Sequence, residues 1–538
     1  MKSINLLSLV AMIWIMIHAN NVSAQVPIFG NTRAQSEPHI AVNPTDTTNM
    51  IGVAIILAGS GNTNEIASYY TFNTGQSWTE IPNLSGANAA GDPVIAFDSD
   101  GTAYLLFQVI TASGLYLRKS TDGGITWSSP SAVIVYDPSF NTVDRPWMAI
   151  SPLRNAGGFF DIYIAHTLFD VVPPNEPSVS EISVLKSTNG GASFSLVHAA
   201  TSPTGSAHGS SLAVGPSGEV FLAWANLNYL SNAVESISMK RSTDGGRTFS
   251  SLNTITTYQI GTKSGSSFVL VTEIRADSYP RIAIDNSPGA YRGYAYVTWA
   301  GKQSSNGNPD VLMVRWKKNA GGSFEWSNVE IVEEAAGEQW MPAVSSSPDG
   351  VVSILYYSNP SSTSGGQIYT YLKSSTNGGQ NFSSATLVGT STGFNVTTGE
   401  KFVGDYFGLA SWFGKAYALW SENQNHGSNN RVQAYFRAVP LSQQTPSGYK
   451  YVKVNQVDEA GQPFEKFGRW NQGAFTNYRA PFRFLSQINS NEALRAKQDF
   501  KLGSTQKYNK WDADNDVINH RSFQITTGTI AIASQFQT

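Results

Sequence analysis

Along the first four fifths of the chain, apolar residues come in short runs separated by Gly, Pro, Asn, Asp and Ser. Each of seven segments opens with such a run, often behind a proline: Glu37-Pro38-His39-Ile40-Ala41-Val42, Asp92-Pro93-Val94-Ile95-Ala96-Phe97 and Arg145-Pro146-Trp147-Met148-Ala149-Ile150 are the first three. Ser210-Ser211-Leu212-Ala213-Val214, Tyr279-Pro280-Arg281-Ile282-Ala283-Ile284, Met341-Pro342-Ala343-Val344 and Tyr406-Phe407-Gly408-Leu409-Ala410 follow. A second run, rich in aromatic and β-branched residues, comes next in each segment, as in Val220-Phe221-Leu222-Ala223-Trp224 and Tyr296-Val297-Thr298-Trp299. A third run alternates in polarity and usually ends in a cation, as in Leu115-Tyr116-Leu117-Arg118. Alternation of this kind fits strands with one face buried, and no segment sustains a helical period.

A fourth strand is expected after a turn of recurrent sequence. Ser120-Thr121-Asp122-Gly123-Gly124-Ile125-Thr126-Trp127 and Ser242-Thr243-Asp244-Gly245-Gly246-Arg247-Thr248-Phe249 carry Asp; Asn189 and Asn377 replace it in two further copies. Asx side chains accept backbone N–H bonds in tight turns, and Gly supplies positive φ, so these residues read as structural. Four strands per segment, repeated with this regularity, predict an all-β protein built as a β-propeller of six or seven blades, with seven favoured. The seventh segment lacks the turn, so residues 26–31 are expected to supply its outer strand and close the ring. Residues 25–440 would form the propeller, 441–448 a linker, and 449–538 a separate β-rich, sandwich-like module containing one short helical candidate.

Composition narrows the setting. The formal net charge is −3 and no basic stretch stands out, which argues against a nucleic-acid partner. Lys2, the apolar run from Ile4 to Ile17 and Val22-Ser23-Ala24 together read as a signal peptide over residues 1–24, with cleavage near Ala24. The run is too short for a membrane span. The expected location is therefore outside the cytoplasm: extracellular, periplasmic or at the cell surface. Cysteine is absent and the 7 histidines are scattered; no metal, disulfide or other cofactor is implied.

Chemistry is expected where loops of every blade converge, just before each innermost strand. Those positions hold Arg33, Glu37, Asp92, Asp144, Arg145, His208, Asp277, Glu338, Gln339, Lys401, Asp405 and Tyr406, with Trp147 and Trp340 beside them. The recurrent Asp-Gly-Gly turns resemble the Asp box, or BNR repeat, of the sialidase superfamily, over about residues 35–438. That resemblance implies a secreted glycoside hydrolase with a Tyr nucleophile, its Glu base, an Asp general acid and arginines for a substrate carboxylate. Carried over, it makes Tyr406 the nucleophile and Glu338 its base. Asp92 or Asp144 becomes the acid, and Arg145 and Arg281 become carboxylate ligands. Arg33, Glu37, His208, Asp405, Trp147 and Trp340 remain as further substrate contacts. At the family's Phe/Tyr-Arg-Ile-Pro position this chain has Gln35-Ser36-Glu37-Pro38, and Arg33 is out of register. Three activities stay open: hydrolysis of an extracellular glycan or glycoprotein, lyase cleavage of a uronate-containing glycan with His208 or Tyr406 as base, and binding without catalysis.

Overall fold

A computed structural model describes residues 26–28, 33–57, 64–86, 89–170, 179–202, 205–228, 230–264, 267–270, 274–303, 307–363, 366–389, 402–426 and 429–442, and strands at 450–457, 463–471, 474–475, 484–485 and 522–524. The signal segment, Lys401, residues 443–448 of the linker and the helical candidate in the C-terminal module lie outside these. Among the described residues one 3-10 turn, Ile110–Ala112, is the only helical element, and strands make up the rest of the regular structure.

Among the described residues of the repeat region, seven sheet units follow one another along the chain. Their innermost strands are Gln35–Val42, Ala90–Phe97, Asn141–Arg154, Gly205–Val214, Arg281–Ile284, Glu338–Ser346 and Gly408–Trp412. Each innermost strand packs against the next, and the last packs against the first, so the ring closes. The third and fourth units merge into an 8-stranded sheet through a single parallel pairing, Ser180 with Ser206. The expected closing strand is present: Val26 and Pro27 pair antiparallel with Phe436 and Tyr435, outside the strands of the seventh unit. The C-terminal strands form a separate five-stranded sheet in the order Ala474–Phe475, Pro463–Asn471, Phe484–Leu485, Lys450–Val457, Ser522–Gln524.

Apolar side chains fill the spaces between neighbouring units. Trp224, Trp299 and Trp420, each on the second strand of its unit, are fully buried. A buried indole N–H needs an acceptor. Trp224 finds Asn226 Oδ1 at 2.9 Å and Trp420 finds Glu422 Oε2 at 2.7 Å, in each case two residues further along its own strand. At the outer edge, the recurrent turns share one pattern. Gly124 N donates to Ser120 Oγ at 2.9 Å, and Thr126 N donates to Asp122 Oδ1 at 3.0 Å. Equivalent bonds join Gly246 to Ser242 and Thr248 to Asp244, and Gly191 to Ser187 and Ser193 to Asn189.

Four of the prolines that open innermost strands sit in bulges. Pairing is interrupted between Ser36 and His39, Gly91 and Val94, Asp144 and Trp147, and Trp340 and Ala343, and the fourth strand has a like interruption at Gly209-Ser210, between His208 and Ser211. Proline cannot donate to a ladder, so a bulge accommodates it. The residue before it turns left-handed: φ is 52° at Glu37, 49° at Asp92, 51° at Arg145 and 53° at Met341. Such backbone costs about 1–3 kcal/mol per residue and persists only where packing enforces it. Here it turns the side chains of Glu37, Asp92 and Arg145 into one shared cluster. The far ends of the innermost strands line a different space, a cavity of about 300 Å³ bordered by Val42, Phe97, Ile150, Ile284 and Trp412.

Candidate functional site

The cluster is organised around Asp405. Gly404 delivers it: at φ 100°, a Cβ on Gly404 would lie 2.6 Å from Glu37 N, and a Cβ on Gly408 would lie 2.7 Å from Ile40 N. Only glycines allow this segment to lie so close to the first innermost strand. Asp405 N then donates to Glu37 Oε1 at 3.2 Å. Two guanidinium groups meet the same Asp405 oxygen, Oδ2: Arg145 Nη1 at 3.1 Å, and Arg275 Nη2. Burial alone would raise the Asp405 carboxyl, but Arg275 and Arg145 outweigh it and hold its pKa below the usual range. Asp277 lies beside it, 3.5 Å from Arg275 Nε and hydrogen-bonded to Asp405. Burial and the neighbouring Asp405 charge push Asp277 up to about 7.

A second set of carboxyls lies behind Arg145. The Arg145 backbone N–H donates to Asp92 Oδ2 at 3.1 Å and to Asp144 Oδ1 at 2.8 Å. Glu37 and Asp144 each hydrogen-bond Asp92, and both are raised by burial first and by the Asp92 charge second. The Asp144 side chain is 41% exposed, so water weakens that effect. His208 Nε2 stands 3.7 Å from Asp144 Oδ2, while its Nδ1 is 2.8 Å from Thr167 Oγ1. Burial and Arg145 lower His208 to about 3, so its ring is neutral at pH 7.

Aromatic rings line the cationic side. The Arg145 guanidinium lies 4.6 Å from the Tyr279 ring and 5.5 Å from that of Tyr406. Arg281 lies 4.4 Å from Trp147 and 5.3 Å from Tyr406. Burial and the charge on Arg145 bring Arg281 down to about 9, still protonated at neutral pH. His39, half-buried and lowered by desolvation to about 3, fills the angle between Trp147 and Tyr406.

Most of the expected residues therefore meet: Glu37, Asp92, Asp144, Arg145, His208, Arg281, Asp405, Tyr406 and Trp147. Several details differ from expectation. Tyr406 is buried, and its hydroxyl donates to the Pro93 carbonyl at 3.0 Å. Burial, Glu37 and Asp92 raise its pKa, which is not the setting of an activated nucleophile. The carboxylates acting on it are Glu37 and Asp92; Glu338 sits on the sixth innermost strand, opposite Asn359. Trp340 is fully buried in an apolar core with Tyr357 and Phe407 and has no face for a sugar. Arg33 is engaged within the first blade, 3.2 Å from Glu65 Oε1 and bonded to the Leu57 carbonyl. The reading of strand openings missed Arg275 and His39. Arg275 lies ahead of its strand and is held by an isolated bridge to Val269, which no local pattern announces. His39 was visible as the only histidine following a bulge proline.

No protein-family model matches the chain, and no curated protein matches it in sequence. Several solved structures share its general trace. A protein of unknown function from Dyadobacter fermentans is 16% identical over 66% of this chain and 97% of its own, with a TM-score of 0.41. The GH93 α-L-arabinofuranosidase of Fusarium graminearum is 11% identical over 78% of this chain and 98% of its own, with a TM-score of 0.43. The NanB sialidase from Streptococcus pneumoniae is 12% identical over 82% and 73%, with a TM-score of 0.37.

Proposed function

We propose that this protein is a secreted, sialidase-like propeller that hydrolyses glycosidic bonds in extracellular glycans at the open side of the Asp405 cluster. The observation that carries the reading is the pair Asp277 and Asp405. One carboxyl keeps its proton up to about pH 7 because the other, bound by two arginines, keeps its charge. Neighbouring acids with pKa values driven apart are the arrangement that general acid catalysis needs. Asp277 is the general acid. It protonates the leaving glycosidic oxygen as the bond to the anomeric carbon breaks. Asp144, the most exposed carboxyl of the second set, is the other catalytic carboxylate. Water supplies the hydroxyl, either directly with Asp144 as base or after an ester with Asp144, and a proton from water restores Asp277. The buried, hydrogen-bonded Tyr406 supports a carboxyl pair over a tyrosine nucleophile.

The test is turnover of a panel of neutral and acidic aryl glycosides and polysaccharides. Asp277→Asn should lower kcat by at least about a hundredfold, and the wild-type rate should fall as pH rises through about 7. An active protein that keeps its rate in Asp277→Asn would remove Asp277 from the role. A second reading, β-elimination on a uronate glycan, draws on His208, whose neutral ring lies 4.8 Å from Tyr279 and could take the proton α to a carboxylate. Its signature is the absorbance of an unsaturated uronate product. Glycan binding with no product of either kind would leave a binding protein.

A further inference from the structure

Three arginines converge in this cluster, yet two of them are already occupied. Arg145 and Arg275 share one oxygen of Asp405, and the Arg145 and Asp405 side chains are only 3% and 5% exposed. The geometry is that of a carboxylate ligand bound by two guanidinium groups, except that the carboxylate belongs to the chain. The remaining cation, Arg281, lies against Trp147 and Tyr406. Around them stand four more carboxyls, Glu37, Asp92, Asp144 and Asp277. An incoming anionic sugar would have to displace Asp405 from a buried, charge-assisted pair, or add a charge to a site already rich in acids.

We infer that Asp405 is an internal stand-in for a substrate carboxylate, and that it restricts the site to glycans whose bound residue carries no carboxylate. The inference rests on the glycan-hydrolase reading and names its substrate class. Asp405 acts through Arg145 and Arg275 and so sets specificity without touching the reacting bond.

Binding, read without turnover, tests it. Wild-type protein should show no thermal stabilisation by acetate, glucuronate or N-acetylneuraminate beyond that given by equal ionic strength of chloride. Asp405→Ala should lose melting temperature and regain part of it as acetate is added, and it should bind glucuronate at least about tenfold more tightly than wild type does. Stabilisation of the wild type by glucuronate over chloride would overturn the inference. So would a folded Asp405→Ala that gains nothing from either anion. If Asp405→Ala does not fold, the wild-type arm and the milder Asp405→Asn still decide. Hydrolysis confined to acidic glycans would remove the specificity claim and keep the hydrolase. Failure to hydrolyse any glycan would remove the hydrolase, while the anion measurements would still show whether Asp405 fills the arginine site.

Discussion

The turn carboxylates at the rim and the carboxyls at the centre are the same chemical group in opposite settings. Asp244 is fully exposed, and hydrogen bonds from the Thr248 side chain, the Thr248 backbone and Ser242 lower it to about 2. Asp277 is pushed the other way, to about 7, by burial and by Asp405. At the rim, a carboxylate ties together its own turn, accepting from Ser242 on one side and Thr248 on the other. In the centre, carboxyls from the first, second, third, fifth and seventh units are forced together, and the arginines among them limit the repulsion. The rim thus stabilises the fold locally, while the centre stores chemistry that the rest of the fold must hold in place. Removing one group should therefore cost far more in the centre than at the rim.

The largest effect is expected from Arg145→Met. It leaves Glu37 buried without its cation and Asp405 with Arg275 alone, and breaking such a buried set typically costs about 3–5 kcal/mol. Methionine itself fits the backbone, since Met341 adopts the same left-handed conformation in the sixth unit. Urea denaturation measures the loss, and a cost below about 1 kcal/mol, the level of an exposed ion pair, would mean that the centre is not held electrostatically. Gly404→Ala should come next. Its Cβ would meet Glu37 N at 2.6 Å in a backbone of φ 100°, so a loss at the upper end of about 1–3 kcal/mol is expected. It should also lower turnover, because Asp405 must shift.

The opposite pKa directions predict opposite pH responses. A raised carboxyl binds its proton more tightly in the folded state than in the unfolded one. The contribution of Asp277 is therefore complete below about pH 4 and declines as pH rises toward about 7. Asp277→Asn should remove up to one proton's worth of that downward slope in stability measured across this range. Asp244 has the reverse sign: its contribution is present above about pH 4 and is lost as pH falls toward about 2. If Asp277→Asn leaves the slope unchanged, Asp277 is not the protonated partner of Asp405.

The rim was far easier to read from sequence than the centre. The turns announce themselves because the bonds made by their Ser and Asp or Asn side chains join residues two to four apart, so their chemistry is written in consecutive letters. The strand-opening prolines were equally plain, and they led to Glu37, Asp92 and Arg145, while the seventh opening, which has no proline, led to Asp405. What those residues do to one another was not legible. The Arg275–Asp405 pair spans 130 positions, and the Tyr406 bond to Pro93 spans 313. The resemblance assigned Tyr406 a role by its place in a motif, whereas its hydroxyl is committed to a main-chain carbonyl that no motif contains. Trp340 shows the same limit. It stands beside the openings in sequence, but the bulge between Trp340 and Ala343 leaves it inside the core.

The smallest expected effect is also the sharpest test of the rim. Asn189 accepts from Ser193 N at 3.0 Å and from Ala192 N at 3.1 Å, and its Nδ2 donates to Ser193 Oγ at 2.8 Å. Asn189→Ala removes these bonds at an exposed turn and should cost about 1 kcal/mol by urea denaturation. Asn189→Asp should cost only a few tenths of that at pH 7. The Ser193 hydroxyl can rotate to donate instead, as Thr248 Oγ1 does to Asp244 Oδ2 at 2.6 Å. The substitution should also install an acid sensitivity that the native turn lacks, with stability lost below about pH 4 as the new carboxylate is protonated. If Asn189→Asp were as destabilising as Asn189→Ala at pH 7, the turns would depend on the amide donor, and the Asp and Asn copies would not be interchangeable parts of one device.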